Sequence, residues 1–179
     1  MRNILIALLF ILAIPVSVSA ISRTVSPGGS SIQSVINVSS DGDTIILLDG
    51  TYSGPGNRDI DLMGKAITVR SQSLDPSVCI IDCEGSPSYP RRGFYIHNEE
   101  GNSTVIQAIT IRNGYVDGEF MYGSGGAIYI YNSEPLIIGC WFEDNTATGT
   151  NGGLGGAVYV GNTYKGEMTG CRFTGNSAN

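Results

Sequence analysis

Short segments in which apolar and polar positions alternate recur along the second half of the chain. Segments 109–111, 140–142 and 171–173 follow one another at intervals of 31 residues, and the outer positions of each are apolar or cysteine. Alternation over so few residues, bounded by glycine, asparagine or serine, predicts β-strands and not helices. Because side chains alternate between the faces of a strand, we predict that Phe142 and Phe173 are buried in one column and that Trp141 points outward.

A second kind of segment repeats in the same order. Residues 125–130 read GGAIYI, residues 155–160 read GGAVYV thirty positions later, and residues 93–98 form a weaker copy. Segment 67–69 resembles an earlier member of the first kind. Two strand types that recur at a nearly constant interval are typical of stacked coils. The sequence therefore predicts an all-β fold, a right-handed parallel β-helix (solenoid); an antiparallel sandwich is the less economical alternative.

The two ends of the predicted solenoid differ. Segment 30–38 places Ile32, Val35 and Ile36 on one helical face, just before the apolar run 44–48. We predict a short N-terminal capping helix here, because an open first coil would expose apolar side chains and unpaired backbone groups. Nothing comparable follows the last coil. We therefore expect the solenoid to be truncated or to continue at its C-terminal end, or to self-associate through this open edge.

The first twenty residues have the features of a secretory signal peptide. Arg2 supplies a positive charge, residues 4–14 are continuously apolar, and residues 18–20 (Val-Ser-Ala) form a small-residue cleavage pattern. This predicts cleavage after Ala20, a mature domain at residues 21–179, and a secreted or cell-surface location. An uncleaved anchor is the alternative, but the apolar stretch is short for a transmembrane helix.

Composition and charge narrow the range of partners. The 179 residues contain 10 basic and 16 acidic side chains, a net charge of -6, and no basic run is longer than Arg91-Arg92. A nucleic-acid partner is therefore not expected. With 41% hydrophobic residues, the chain is also unlike disordered proteins.

Several motifs resemble those of known β-helix families. Residues 31–36 (SIQSVI), 41–45 (DGDTI) and 49–52 (DGTY) resemble the N-terminal entry of pectin-lyase-like right-handed β-helix proteins. The two Gly-Gly segments, together with residues 142–145 (FEDN) and 173–176 (FTGN), are similar to the GGAI and FxxN repeats of polymorphic outer membrane proteins. The resemblance implies the β-helix fold. It does not define the chemistry, since this architecture carries lyases, hydrolases, adhesins and passive surface proteins alike.

A polysaccharide lyase on such a scaffold would need clustered carboxylates that hold Ca²⁺ and a base that removes a proton. Arg112 is the candidate base, and Asp117 and Glu119 are candidate catalytic residues. The candidate Ca²⁺ ligands are Asp117, Glu119, Glu143 and Asp144. Acidic residues are common in turns, so solvated loop charge is the more ordinary interpretation. No other cofactor is indicated.

Exposed aromatic side chains favour a binding function. We predict that a polysaccharide, a cell-surface glycan or a partner surface is bound through Tyr129, Tyr131, Trp141 and Tyr159, without catalysis, as in an adhesin. A Ca²⁺-dependent pectate-type lyase is one alternative. A passive structural rod is the other.

Two further predictions concern stacking between coils. Cys140 and Cys171 occupy the same inward position one coil apart, at ~4.8 Å, which favours stacked thiols over a disulfide. Asn145 and Asn176 are expected to form an amide ladder, and the Gly-Gly pairs to supply positive φ at corners.

Overall fold

The structure is a computed structural model that describes residues 19–119, 122–149, 152–162 and 165–179. Apart from Ser19 and Ala20, the predicted signal peptide lies outside the described residues, so its cleavage stays a prediction. Among the described residues, no helix has the length and apolar character needed to cross a membrane.

Short strands dominate the described residues, as the alternating pattern predicts. The elements are β1 (Ser22–Val25), α1 (Ile32–Asn37), β2 (Thr44–Leu47), β3 (Gly50–Tyr52), β4 (Ile60–Asp61), β5 (Thr68–Ser71), β6 (Cys79–Asp82), β7 (Phe94–Ile96), β8 (Val105–Gln107), β9 (Thr110–Arg112), β10 (Tyr115–Asp117), β11 (Ile128–Tyr131), β12 (Leu136–Ile138), β13 (Trp141–Glu143), β14 (Thr146–Thr148), β15 (Val158–Gly161), β16 (Glu167–Thr169), β17 (Arg172–Thr174) and β18 (Ser177–Ala178).

These strands pair in parallel, each with its equivalents in neighbouring coils. In the described part of the chain the sheets have the orders β1-β2-β5-β8-β12-β16, β17-β13-β9-β6-β3, β15-β11-β7-β4 and β10-β14-β18. The chain thus forms a parallel β-solenoid of about four turns, which confirms the predicted all-β parallel architecture.

The pairing register confirms the main repeat and corrects one member of it. Trp141 pairs with Thr110 on one side and with Arg172 on the other, as the 31-residue spacing predicts. The assignment of segment 67–69 to the same column was wrong, because Thr68 lies in another sheet and Thr110 pairs with Ile80 instead. Strands of different sheets share the same apolar-polar-apolar pattern, so the pattern alone does not identify the sheet.

The inward-facing side chains fill the solenoid with stacked apolar columns. In the six-stranded sheet this column is Ile45, Val69, Ile106 and Ile137, all fully buried, followed by the partly buried Met168. Such columns exclude water continuously along the axis, which is the main source of stability in this architecture.

Phe142 and Phe173 share a column, and Trp141 points to the opposite face. The two phenyl rings stack with centroids 4.9 Å apart. Phe142 is fully buried, but Phe173 is 53% exposed, so the predicted burial of Phe173 was wrong. The reason is that β17 is the last strand of its sheet, and the ring of Phe173 has a stacking neighbour on one side only.

Helix α1 lies within the predicted helical segment 30–38. Its N-cap is Ser31, whose side chain accepts a hydrogen bond from the Ser34 N–H at 3.2 Å. Ile32 and Ile36 are fully buried in the same core as the strands. That the helix closes the first coil stays a prediction.

A ladder of asparagines runs along one corner, as predicted. Asn145 is fully buried, and its Nδ2 donates to Asn176 Oδ1 at 2.9 Å and to the Ile111 carbonyl at 3.0 Å. Its Oδ1 accepts the Gly114 N–H at 2.9 Å. Asn176 repeats the pattern one coil later by donating to the Phe142 carbonyl at 2.8 Å. The ladder therefore satisfies backbone groups that the tight corner leaves unpaired.

The predicted glycine corners are also present. Gly125 and Gly155, the first residues of the two Gly-Gly pairs, have φ values of 69° and 64°. A Cβ on the second residue, Gly126, would clash with the backbone oxygen of Gly156 in the next coil. Gly125 is thus required for the backbone conformation of the corner, and Gly126 for the close contact between coils.

We expect Phe142→Ala to lower the free energy of unfolding by about 3 to 5 kcal/mol, because it leaves a cavity in a filled column. The matched variant Phe173→Ala removes the same ring from the 53% exposed position and should cost about 1 kcal/mol. Urea unfolding of both variants tests this. Equal losses would contradict the assigned column.

We expect Asn145→Asp to lower the free energy of unfolding by about 3 kcal/mol at pH 7, because a carboxylate cannot donate to the Ile111 carbonyl. Burial raises the pKa of the new carboxyl, so protonation favours the folded state and the deficit should shrink as the pH falls towards 4. The control is Asn132→Asp at an exposed position, where Asn132 Oδ1 accepts a hydrogen bond from Asn162 Nδ2 and a carboxylate could accept it equally well. A deficit that does not depend on pH would contradict this role of the Asn145 amide.

Candidate functional site

Three tyrosines stack on the outer face of the sheet formed by β4, β7, β11 and β15. Tyr129 pairs with Tyr95 in the coil before and with Tyr159 in the coil after, and both ring-centroid distances are 5.2 Å. The inward neighbours Ile128 and Ile130 are fully buried, as the predicted register requires. We call Tyr95, Tyr129 and Tyr159 the tyrosine ladder.

The ladder uses most of its ring surface for its own packing. Tyr129 is only 3% exposed, although its side chain is on the outer face of the strand. Burial and the neighbouring tyrosines raise the pKa of Tyr129 to about 12. Tyr129 is therefore a packing residue whose ring faces are covered, and a ligand at this surface would meet ring edges and hydroxyls.

Arg92 links the ladder to the adjoining loop. Its side chain is almost completely buried, with the guanidinium carbon 5.4 Å from the Tyr95 ring centroid and 5.3 Å from that of Tyr129. The same guanidinium donates to the carbonyls of Ser124 at 2.9 Å and Tyr122 at 3.3 Å. Arg92 thus holds the loop that carries Tyr122 against the end of the ladder.

A cleft opens where this loop meets the ladder. One cavity of about 440 Å³ is lined by Asp59, Pro90, Arg91, Arg92, Val116, Asp117, Gly118, Glu119 and Tyr122. A second, of about 320 Å³, is lined by Asp59, Arg92, Tyr95 and Tyr122. Because the two cavities share three lining residues, we treat them as one site, the Tyr122 cleft.

The walls of the Tyr122 cleft carry both signs of charge. Asp59 Oδ1 accepts the backbone N–H of Arg92 at 3.0 Å, and its Oδ2 lies 3.5 Å from an Arg91 nitrogen. Asp117, at the end of β10, and Glu119, in the connection that follows it, are both exposed. Tyr122 is 70% exposed, so its ring is accessible to a ligand. Such a site combines an aromatic surface with several hydrogen-bonding groups, as ligand-binding clefts commonly do.

The structure does not bring the four predicted binding aromatics together. Tyr129, Tyr131 and Tyr159 share one sheet, and Tyr131 is 39% exposed. Trp141 lies on β13 in a different sheet, where the Arg172 guanidinium stacks over it at 4.1 Å. Consecutive strands of one coil turn their outer faces in different directions, so Trp141 does not extend the tyrosine ladder.

The candidate catalytic and metal-binding residues are divided between separate places. Asp117 and Glu119 line the Tyr122 cleft. Arg112 lies in another sheet, on β9, where its Nε donates to Asp82 at 3.0 Å. Although partial burial opposes ionisation, hydrogen bonds from Asn113, Glu84 and Arg112 lower the pKa of Asp82. Arg112 is therefore held in an ion pair and is not positioned as a base beside Asp117 and Glu119.

The other two acidic candidates belong to the β13 strand and its turn. Glu143 pairs with Arg112 in strand register and forms an ion pair with Arg172 at 2.5 Å, and Asp144 is the turn residue with φ 52°. Across residues 19–119, 122–149, 152–162 and 165–179, no group of three or more His, Cys, Asp or Glu side chains is arranged to hold a metal ion.

Apart from Asp117 and Glu119, the residues that line the cleft were not among the predicted site residues, and only Tyr95 had a recognisable signal in the sequence. Tyr95 occupies the position of Tyr129 and Tyr159 in the weaker repeat copy at residues 93–98. Asp59, Arg91 and Tyr122 lie outside the repeated segments, in connections of irregular length. Their proximity depends on how these connections fold back, which periodicity does not report.

All four cysteines are free, in agreement with the prediction of stacked thiols. Cys140 and Cys171 directly precede the paired residues Trp141 and Arg172, so they occupy equivalent positions in adjacent coils. Burial raises the pKa of Cys79 and of Cys140 to about 12, and it also raises the pKa of Cys83. These three thiols are inert in the folded protein.

No family model, no curated protein and no solved structure matches this chain in the comparisons with known proteins.

We expect only Cys171, which is half-buried, to react with iodoacetamide in the native protein at pH 8. Its labelling should be slow because burial also raises its pKa. Intact mass should show one adduct on the native protein and four after denaturation without a reductant. Cys171→Ser is the control and should abolish native labelling. A mass two adducts short after denaturation would instead reveal a disulfide.

Proposed function

We propose that the protein binds an extended neutral glycan in the Tyr122 cleft and does not cleave it. The observation that carries this proposal is that the two cavities beside the tyrosine ladder share three lining residues, Asp59, Arg92 and Tyr122. Small molecules usually bind in enclosed pockets. The Tyr122 cleft is open to solvent and therefore suits a chain-like ligand better.

The chemistry of the walls supports a sugar ligand. The exposed ring of Tyr122 offers an apolar face for a pyranose, and Tyr95 lines the same cleft. The Arg91 guanidinium can donate hydrogen bonds to sugar hydroxyls. The same hydroxyls can donate to the carboxylates of Asp59, Asp117 and Glu119. Tyr131, at the far side of the ladder, offers a further contact for a longer chain.

The balance of charge favours a neutral glycan over an acidic one. The cleft residues include two arginines and three acidic residues, and the Arg92 guanidinium already donates to two backbone carbonyls. A uronate-rich polysaccharide would therefore approach a site with a formal charge of about -1 and would be repelled.

The likeness to pectin-lyase-like proteins and to the GGAI and FxxN repeats is consistent with this proposal. Proteins with such repeats are exposed at cell surfaces, so we place this protein outside the cell, as the predicted signal peptide also suggests. A scaffold of stacked coils can carry a binding site on its connecting loops without changing its core.

A carbohydrate-active enzyme is the second candidate, favoured by one observation. Asp59, Asp117 and Glu119 line the same cavity, and glycosidic bond cleavage uses pairs of carboxyl groups. A Ca²⁺-dependent polysaccharide lyase would use Asp117 and Glu119 with the metal. In either case polysaccharide incubated with the protein would become shorter, which binding alone does not cause.

We expect Tyr122→Ala to weaken glycan retention by roughly 3- to 10-fold while thermal stability stays unchanged, because it removes one exposed aromatic contact. The measurement is affinity electrophoresis through neutral and acidic polysaccharides, with and without Ca²⁺, combined with analysis of the polysaccharide for cleavage. The matched control is Trp141→Ala, an aromatic on a different sheet, which should retain wild-type binding.

Three results would contradict the proposal in different ways. Loss of binding in Trp141→Ala but not in Tyr122→Ala would place the site on the other sheet. Shortened or unsaturated products, abolished by Asp117→Asn or Glu119→Gln, would identify an enzyme. Absence of retention on every polysaccharide would leave the passive structural rod.

A further inference from the structure

The carboxylate of Asp43 collects hydrogen bonds from three donors near the start of the fold. Its side chain is 1% exposed. Oδ1 accepts the N–H of Ile21 at 2.8 Å, while Oδ2 accepts the N–H of Ser40 at 3.1 Å and the Arg23 Nε–H at 3.2 Å. The hydrogen bonds from Ile21 and Ser40 are the main reason why the pKa of Asp43 is lowered. Asp43 is therefore an ionised, enclosed acceptor aimed at the nitrogen of Ile21.

Strand β1, which follows Ile21, is held by hydrogen bonds at both of its ends. Strand β1 is the outermost strand of the six-stranded sheet and pairs only with β2 in the described part of the chain. Its far end is held by Tyr52, whose hydroxyl bonds to the Val25 carbonyl at 2.8 Å. Its near end is held by Asp43 and by the Thr44 N–H, which donates to the Ile21 carbonyl at 2.9 Å.

Ile21 is also the residue directly after the predicted cleavage point. Hydrolysis of the Ala20–Ile21 peptide bond by a processing protease consumes one water. The carbonyl carbon of Ala20 gains the hydroxyl, and the nitrogen of Ile21 gains the proton and becomes a primary amine, which is protonated at neutral pH. The nitrogen that donates to Asp43 thereby changes from a neutral amide to a cation.

We propose that Asp43 is the receptor for the α-amino group of Ile21, so that removal of the leader converts a neutral hydrogen bond into an ion pair that locks β1 onto the solenoid. This inference depends on the predicted processing site and is independent of glycan binding. An ionised donor makes a shorter and stronger hydrogen bond to a carboxylate than an amide does.

The surroundings of Ile21 suit this change of charge. Ser19 and Ala20 are exposed, and the Ile21 residue itself is 48% exposed. The remaining N–H bonds of the new ammonium group can therefore stay hydrated while one points at Oδ1. Arg23 contacts the other oxygen and is 31% exposed, so the two cations occupy different sides of the carboxylate.

The first experiment defines the terminus. The full chain is expressed in a secreting host, and intact mass together with N-terminal sequencing identifies the first residue of the secreted protein. We expect Ile21. A secreted protein that starts at any other residue overturns the inference, whatever the glycan experiments show.

The second experiment removes the charge and keeps the N–H donor. The α-amino group of the secreted protein is acetylated selectively at mildly acidic pH, and mass spectrometry confirms that Lys65 and Lys165, its two lysines, stay free. We expect acetylation to lower Tm by about 3 to 6 °C, in line with the size of the chain. An unchanged Tm overturns the inference.

The control is Asp43→Asn, in which acetylation should change Tm by less than about 1 °C because the receptor carboxylate is gone. A full-sized drop in this variant overturns the inference. Where Asp43→Asn is not secreted in folded form, Arg23→Gln replaces it. Without Arg23 the carboxylate depends on the terminal amine alone, so acetylation should lower Tm at least as much as in the wild type. A smaller drop contradicts the proposed ion pair.

Discussion

Parallel backbone pairing between successive coils is the constraint on which the rest of this structure depends. It places each residue directly over the equivalent residue of the next coil, about thirty positions away. A side chain at a repeated position must therefore pack well against similar side chains. Isoleucine and valine satisfy this in the interior, asparagine at the corner and tyrosine on one outer face. Where charges occupy a column, opposite signs succeed one another, as in Asp82, Arg112 and Glu143.

This constraint explains why much of the fold could be predicted. The 31-residue spacing correctly paired Trp141 with Thr110 and Arg172, and the asparagine ladder followed from the position of Asn145 and Asn176 alone. Periodicity does not predict which side chains are exposed in the terminal coils and on the outer surface. It gave no indication that Phe173 would be exposed on a terminal strand, or that Tyr129 would be covered by Arg92 and its two neighbours.

The candidate site was much less predictable than the fold, and the reason is physical. A repeated position is constrained by its stacking partners and has little freedom to acquire a specific ligand. Tyr122, Asp59 and Arg91 lie in connections whose lengths vary from coil to coil, and these can form a cleft without disturbing the stack. The tyrosine ladder, which the repeat reveals, therefore mainly supports the loop that Arg92 holds in place.

The asparagine ladder connects each corner to its neighbouring coils. The side-chain amide of Asn145 donates to Ile111 and accepts from Gly114, both in the preceding coil, and Asn176 likewise donates backwards to Phe142. The Asn145 amide also donates forward to Asn176 Oδ1, which accepts the backbone N–H of Asn145 as well, so Asn145 is hydrogen-bonded to the coils on both sides of it. The corner at Asn145 therefore reaches its full set of hydrogen bonds only when the next coil is in place, so the ladder couples the stability of successive turns.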